Sequence, residues 1–438
     1  MRKKIVLLLV LGGSGLLLAG GETTLKEAVS RALERDGALG NARLEVRAAE
    51  TARTSAEKSK WFTLQAGGNY RYTSETMEIT ADAFPFPTGI PGGQGTVLAS
   101  APAHTVDLKL GLAQPLYLGG LLANQVRAES ARRQAEEWTV RQRTLDVAGM
   151  VKSSYYTWQL LGKKSASLEL LRSSLELHEK RIGQLVKEEL VRKTDLLETR
   201  SKIIEIDLSM TELRQQQAAE AIQFRRLTGL EPGDIQAGYR EEVPDLETAL
   251  SRLAAGHPLL KSLEEKSRQV EMQKKIVASA YLPQVSGYAE FHYGRPGLNY
   301  FKDEWTPYFV GGLNLSFSVF NWNRKGRDQK LFDLGLEKIA NQRSDFLLNG
   351  ERGLRQLYAQ KEAVAAKRKL LDELIGLADE EVRLKERLYS ERQLDHLTYL
   401  QAETSRERCR SQRDELEMQE SMLHAAIQNL MGIGQEES

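Results

Sequence analysis

Six histidines, one cysteine and two glycine-containing clusters are the residues of this chain whose types could do chemistry. His104, His178, His257, His292, His396 and His424 are scattered, and no two have the spacing that puts metal ligands on one face of a helix. Cys409 stands alone in a charged helical run, which removes both a disulfide framework and a thiolate metal site. Gly162-Lys163-Lys164-Ser165 lacks the glycine-rich run that cradles a phosphate, and Gly92-Gly93-Gln94-Gly95 falls in a Pro/Gly-rich stretch expected to be a surface loop. Carboxylates are plentiful, yet they alternate with Lys and Arg as on solvated helix faces. The expectation is a protein that is no enzyme and uses no cofactor and no metal.

The remaining residues build rather than react. Only 7% of the 438 residues are aromatic and 11 are proline, while long stretches of Ala, Leu, Glu, Lys, Arg and Gln read as extended helices. A net charge of +1 gives no footprint for nucleic acid. Met1-Arg-Lys-Lys4 and the apolar run Ile5 to Leu18 have the two parts of a secretory signal, with Ala19 and Gly21 placed for cleavage before Glu22. No cysteine follows Leu18-Ala19-Gly20, so a lipid anchor is not expected. No later apolar run reaches the roughly 20 residues of a membrane helix. A chain of this kind crosses a membrane, if at all, with strands.

Such strands are legible. Val106, Leu108, Leu110 and Leu112 fall on alternate positions, with Asp107, Lys109, Gly111 and Ala113 between them, which predicts one greasy and one wet face. Gln114 to Gly120 breaks that pattern, and helical spacing follows with no proline until Pro232. The plan then recurs: Thr24-Leu25-Lys-Glu-Ala28-Val29-Ser30-Arg31 matches Asp245-Leu246-Glu-Thr-Ala249-Leu250-Ser251-Arg252, and Leu227-Thr228-Gly229-Leu230 matches Leu430-Met431-Gly432-Ile433. This predicts a signal over 1–21, a first repeat over 22–230, a linker over 231–244, a second repeat over 245–434 and a tail over 435–438. Each repeat reads as an opening helix, a strand hairpin (62–118 and 283–320) and a long helical hairpin (121–228 and 324–430). The first opening helix is expected from Leu25 to Lys60, with Thr23 or Thr24 as N-cap and Glu27 in a capping box. A proline-free run from Leu121 to Leu190 allows a helix approaching roughly 100 Å, packed as antiparallel coiled coil. Four strands cannot close a barrel, since membrane barrels begin at about eight; several chains must pool them.

The junctions Gln114-Pro115-Leu116-Tyr117-Leu118-Gly119-Gly120 and Ser318-Val319-Phe320-Asn321-Trp322-Asn323, with the twofold repeat, resemble the TolC-like outer-membrane efflux channels. His257-Pro258 looks like that family's Asn-Pro turn with His in place of Asn, and the first repeat has Asp36-Gly37 there. The resemblance implies a mostly α fold with transmembrane β: a homotrimer whose twelve strands form one outer-membrane β-barrel in lipid and whose long helices form a periplasmic tunnel. It also implies a periplasmic adaptor (membrane fusion) protein and an inner-membrane transporter as partners. At the hairpin tips it points to Asp195, Tyr389, Arg392, Asp395 and Thr398 as gate residues, and to Glu188, Glu189, Arg192, Glu391 and Arg392 as adaptor contacts. The sequence departs from the family where a latch arginine is replaced by Leu394, two acidic positions by Thr398 and Gln401, and the tip glycines by Glu189 and Arg392. Asp195 with Glu198, and Ser390 with Gln393, also have the spacing of an N-cap with a capping box. The implied role is an exit duct of a tripartite efflux system for small toxic compounds or drugs. A type I polypeptide-secretion duct is the alternative, and a passive trimeric stalk is the reading from another class.

Overall fold

The computed structural model describes residues 23–80, 97–189, 191–236, 242–320, 322–391 and 393–433. The expected signal, the middle of the first strand loop, Leu190, Arg392 and the tail lie outside these described residues. In chain order the elements are β1 (Thr23–Thr24), α1 (Leu25–Arg35), α2 (Gly37–Lys58), β2 (Thr63–Tyr72), β3 (Glu78–Thr80), β4 (Val97–Ser100), β5 (His104–Tyr117), α3 (Leu121–Lys187) and α4 (Lys193–Thr228). After β6 (Ile235–Gln236), in the expected linker, come α5 (Leu246–Gly256), α6 (Pro258–Ser279), β7 (Gln284–Arg295), β8 (Thr306–Ser316), α7 (Arg324–Ser390) and α8 (His396–Met431). No helix among the described residues is long and apolar enough to cross a membrane.

The chain divides into two compact units. One takes the described parts of Asn41–Arg141 and Pro258–Leu348, the other those of Met1–Gly40, Gln142–His257 and Asn349–Ser438. The first holds a four-stranded antiparallel sheet in the order β2-β5-β7-β8, so each repeat supplies one hairpin and the repeats join along β5 and β7. Register places Gly68 and Tyr293 on either side of Leu108, and Ala66 and Phe291 on either side of Leu110. Phe309 lies opposite Phe291. Apolar positions therefore align across all four strands, as the period of two requires. Gly119 and Gly120, both at positive φ (61° and 83°), turn β5 into α3. A Cβ on Gly119 would stand 2.8 Å from Leu282 Cβ and 2.9 Å from the Ser279 carbonyl, so only glycine fits this approach. The second repeat makes the same turn with Trp322 and Asn323, at φ 43° and 53°.

The other unit is helical. Thr24 caps α1 by accepting from the Glu27 N–H at 3.2 Å. Leu25, Val29, Val147, Val151, Tyr155 and Phe224 are buried together, each contributing about 1.5–3 kcal/mol by leaving water. The repeat shows in the packing, with α1 against α4 and α5 against α8. Leu253 of α5 fills the space over Gly350, where a Cβ would come within 2.8 Å of it.

One expected helix is in fact two. The segment expected to run unbroken from Leu25 to Lys60 breaks at Asp36, whose backbone is extended (ψ 109°). Asp36 accepts from the Leu39 N–H at 2.6 Å and from Arg143 through both Nε (3.2 Å) and Nη2 (2.9 Å). A carboxylate that caps the next helix and binds a guanidinium two-handed stabilises the break.

Candidate functional site: the strand wall and the helix tips

The two faces of the sheet differ completely. On one, Leu64, Tyr70, Leu108, Leu110, Phe291, Tyr293, Phe309, Leu313 and Leu315 form a continuous apolar surface, each side chain between 43% and 72% exposed. An exposed apolar face four strands wide is far beyond the scattered apolar residues of a water-facing surface. Aromatic side chains mark both ends. Tyr293 stacks on Trp305 at 5.0 Å, and Tyr70 and Tyr72 contact the His104 ring, at the end of the hairpin loops. Trp61, Phe62, Tyr117, Phe320 and Trp322 stand exposed at the strand-to-helix end. Aromatic rows bounding an apolar band are what the two interfaces of a bilayer select. The opposite face carries Arg71, Asp107, Lys109, Glu290 and His292, with Lys109 Nζ 3.4 Å from Glu290 and His292 Nδ1 3.0 Å from Asp107.

At the first helical tip, α3 ends at Lys187 and Glu188 continues its turn by donating to the Gln184 carbonyl. Glu189 has φ 58°, the left-handed conformation that favours glycine, so the replacement of a tip glycine has kept the backbone of one. Arg192 occupies the N-cap of α4 and makes no side-chain cap hydrogen bond. Asp195 is therefore not the cap that its spacing from Glu198 predicted; it lies in the first turn, where its charge complements the helix dipole, and accepts from the Thr194 hydroxyl at 3.2 Å.

The second tip corrects the other expected cap. Ser390 is the last residue of α7, its hydroxyl donating to the Arg387 carbonyl, and Asp395 caps α8. Asp395 accepts from the Thr398 N–H at 2.9 Å and from its hydroxyl at 2.6 Å. Two predicted gate residues thus form one cap. Tyr389, half-buried, stacks on Tyr399 at 5.5 Å and 9°, with the Arg181 guanidinium of α3 5.6 Å over its ring. Leu394, in the place of the expected arginine, packs with Tyr389 against Val382, Tyr399 and Ala402. Burial raises the Tyr389 hydroxyl pKa; the positive charge of Arg181 opposes this, and the negative charge of Asp195 adds to it. Asp195 and Tyr389, from different hairpins, are therefore brought within electrostatic reach. Glu188, Glu189, Arg192 and Glu391 stand at the hairpin turns, and Arg392 lies outside the described residues.

A cluster that the motif search passed over lies beside the second tip. Glu403 of α8 is buried, accepts from the Ser174 hydroxyl at 2.6 Å, and has His178 Nε2 at 3.3 Å, both from α3. Arg406 approaches Glu403 at 3.8 Å and Glu407 at 3.0 Å, and Arg410 joins Glu407 to Asp379 of α7. Burial pushes the Glu403 carboxyl up, but hydrogen bonds from His178 and Ser174, with the nearby positive charges, hold it below its ordinary value. Burial also drives the Tyr399 hydroxyl to about 12. The signal was present as spacing: Ser174, His178 and Arg181, and Tyr399, Glu403, Arg406 and Arg410, each recur at three and four residues, putting polar groups on a helix seam.

Among the described residues no group of three or more His, Cys, Asp and Glu could hold a metal ion. Residues 28–230 match the sequence family described as outer membrane efflux protein. No curated protein matches the chain in sequence. Its fold is similar to that of CusC, a structure concerned with folding and transmembrane channel formation (TM-score 0.75, 14% identity, covering 94% of this chain and 92% of that one). It is also similar to the outer membrane protein VceC of Vibrio cholerae (0.74, 13%, 94% and 96%) and to the open state of the MtrE outer membrane channel of Neisseria gonorrhoeae (0.75, 14%, 94% and 89%). Its first repeat is thus matched by sequence to the outer membrane efflux proteins, and both repeats share the fold of these TolC-like channels.

Proposed function

We propose that the chain is the outer-membrane exit duct of a tripartite efflux system, carrying small toxic compounds from an inner-membrane pump and its periplasmic adaptor to the exterior. The observation that carries this reading is the sheet: one face is apolar, exposed and bounded by aromatic rows, the other is charged, and four strands are too few to close. Three copies give twelve strands, a lipid-facing outer surface and a hydrated bore. In this reading residues 1–21 are the export signal, the repeats span 22–230 and 245–434, and the helices stand in the periplasm. Glu188, Glu189, Arg192, Glu391 and Arg392 meet the adaptor, and Asp195, Tyr389, Arg392, Asp395 and Thr398 set the state of the gate. Opening is a shift between packed arrangements of the tips that a bound adaptor biases.

Photo-crosslinking in intact cells tests it, with a photoreactive residue at Glu189 or Glu391 and the captured protein identified by mass spectrometry. Capture of a periplasmic adaptor is the expected result. Capture of an exported polypeptide in transit would instead identify a secretion duct, and no capture by exported, trimeric protein would indicate a passive stalk.

A further inference from the structure

On the wet face of the sheet, ionisable side chains from both repeats converge on one histidine. His292 of β7 is only 9% exposed, and its Nδ1 lies 3.0 Å from both carboxylate oxygens of Asp107 on β5. Its Nε2 is 3.4 Å from Glu290 on its own strand, and its ring stacks on Tyr308 of β8 at 4.7 Å and 4°. Lys109 of β5 reaches Glu290 at 3.4 Å. The neighbouring strands supply glycines under these groups: a Cβ would lie 3.2 Å from Asp107 Oδ1 at Gly294, 3.4 Å from Glu290 Oε1 at Gly111 and 3.7 Å from Lys109 at Gly67. Asp107, Lys109, Glu290 and Tyr308 are the titratable groups that face the ring from β5, β7 and β8, while β2 places uncharged Asn69 opposite Asp107 and Arg71 two positions further along the same face.

The charges of this belt sum simply. Two carboxylates against Lys109 and the Arg71 that β2 sets on the same face leave no net charge when the imidazole is neutral and one positive charge when it is protonated. Histidine is the side chain whose ordinary charge change falls between about pH 5 and 8. We propose that His292 is a specificity-determining residue that makes the choice between small cations and anions depend on pH, without preference when neutral and favouring anions on protonation. This rests on the channel reading above, in which the wet face lines the bore and three copies of the belt surround it. Three positive charges about 10 Å from a passing ion in 0.1 M salt enrich anions about twofold and deplete cations about twofold.

The test is the reversal potential of the purified full-length protein in a planar bilayer under a potassium chloride gradient. The cation-to-anion permeability ratio should fall roughly fourfold from about pH 8 to about pH 5. His292→Gln should abolish most of that change. Glu290→Gln, which keeps the histidine, should give at about pH 8 the ratio the unaltered protein has at about pH 5. A conducting protein whose ratio ignores pH, or shifts equally in His292→Gln, overturns the proposal and leaves the channel reading standing. Absence of any conductance overturns both. A purely structural role for the Asp107–His292 pair would change the yield of folded protein and leave the ratio unmoved.

Discussion

His257 and Asp36 stand at equivalent breaks in the two repeats and meet the same demand with opposite electrostatics. Asp36 is ionised, its pKa lowered first by the hydrogen bond from Arg143. His257 is buried, and burial pushes its pKa down to about 4. An unfolded histidine takes up its proton near pH ~6.5, so between that value and about 4 the unfolded chain binds a proton that the folded one does not. The stabilisation is complete above about pH 6.5, drains away as pH falls, and is worth about 3 kcal/mol over the whole gap. His257→Asn, which restores the residue of the family's turn, should flatten this acid loss. Thermal unfolding from neutral pH down to about pH 4.5 should show the unaltered protein losing stability faster than the variant; parallel losses would place the acid sensitivity elsewhere. The His257-Pro258 turn was legible in the sequence, whereas at Asp36-Gly37 only the family resemblance pointed to a turn and the spacing read one helix. The partnership of Asp36 with Arg143, 107 positions away, was not legible, because nothing local to either residue announces it.

Helix ends show where local reading fails. Asp195 and Ser390 each have an acidic or amide residue three positions on, and each lost the cap to a neighbour: Arg192 takes the N-cap of α4 three residues before Asp195, and Asp395 with Thr398 makes a better-satisfied start for α8. Spacing alone ranks these rivals equally; the tertiary position of the turn decides. The buried Glu403 cluster gives the sharpest prediction at this scale. Glu403→Ala would leave His178 and Arg406 without their shared carboxylate and should cost about 3 kcal/mol, whereas Ser174→Ala, which removes one hydrogen bond, should cost about 1 kcal/mol. Because Glu403 ties α8 to α3, amide hydrogen exchange in the first turns of α8 should accelerate in Glu403→Ala more than in the first turns of α4. Equal acceleration in both would mean the cluster does not hold this tip in particular.

For the whole molecule, the alternation in β5 was the legible part, since a period of two survives any packing. The belt around His292 was hidden because it depends on register between strands of different repeats, 185 positions apart. The apolar face makes a direct prediction. Leu110→Arg should cost about 2–4 kcal/mol per chain in lipid and sharply reduce assembled trimer in outer-membrane fractions. Asn69→Lys, on the other face beside Asp107, should assemble normally; equal assembly of both variants would mean the apolar face does not meet lipid. The glycines beneath Lys109, Glu290 and Tyr288 carry a further consequence. Their lack of a side chain lets long neighbours lie along the strands instead of standing away from them. In the proposed trimer, a bore lined in this way would be smooth-walled, with its charges spread along the strands as a coating.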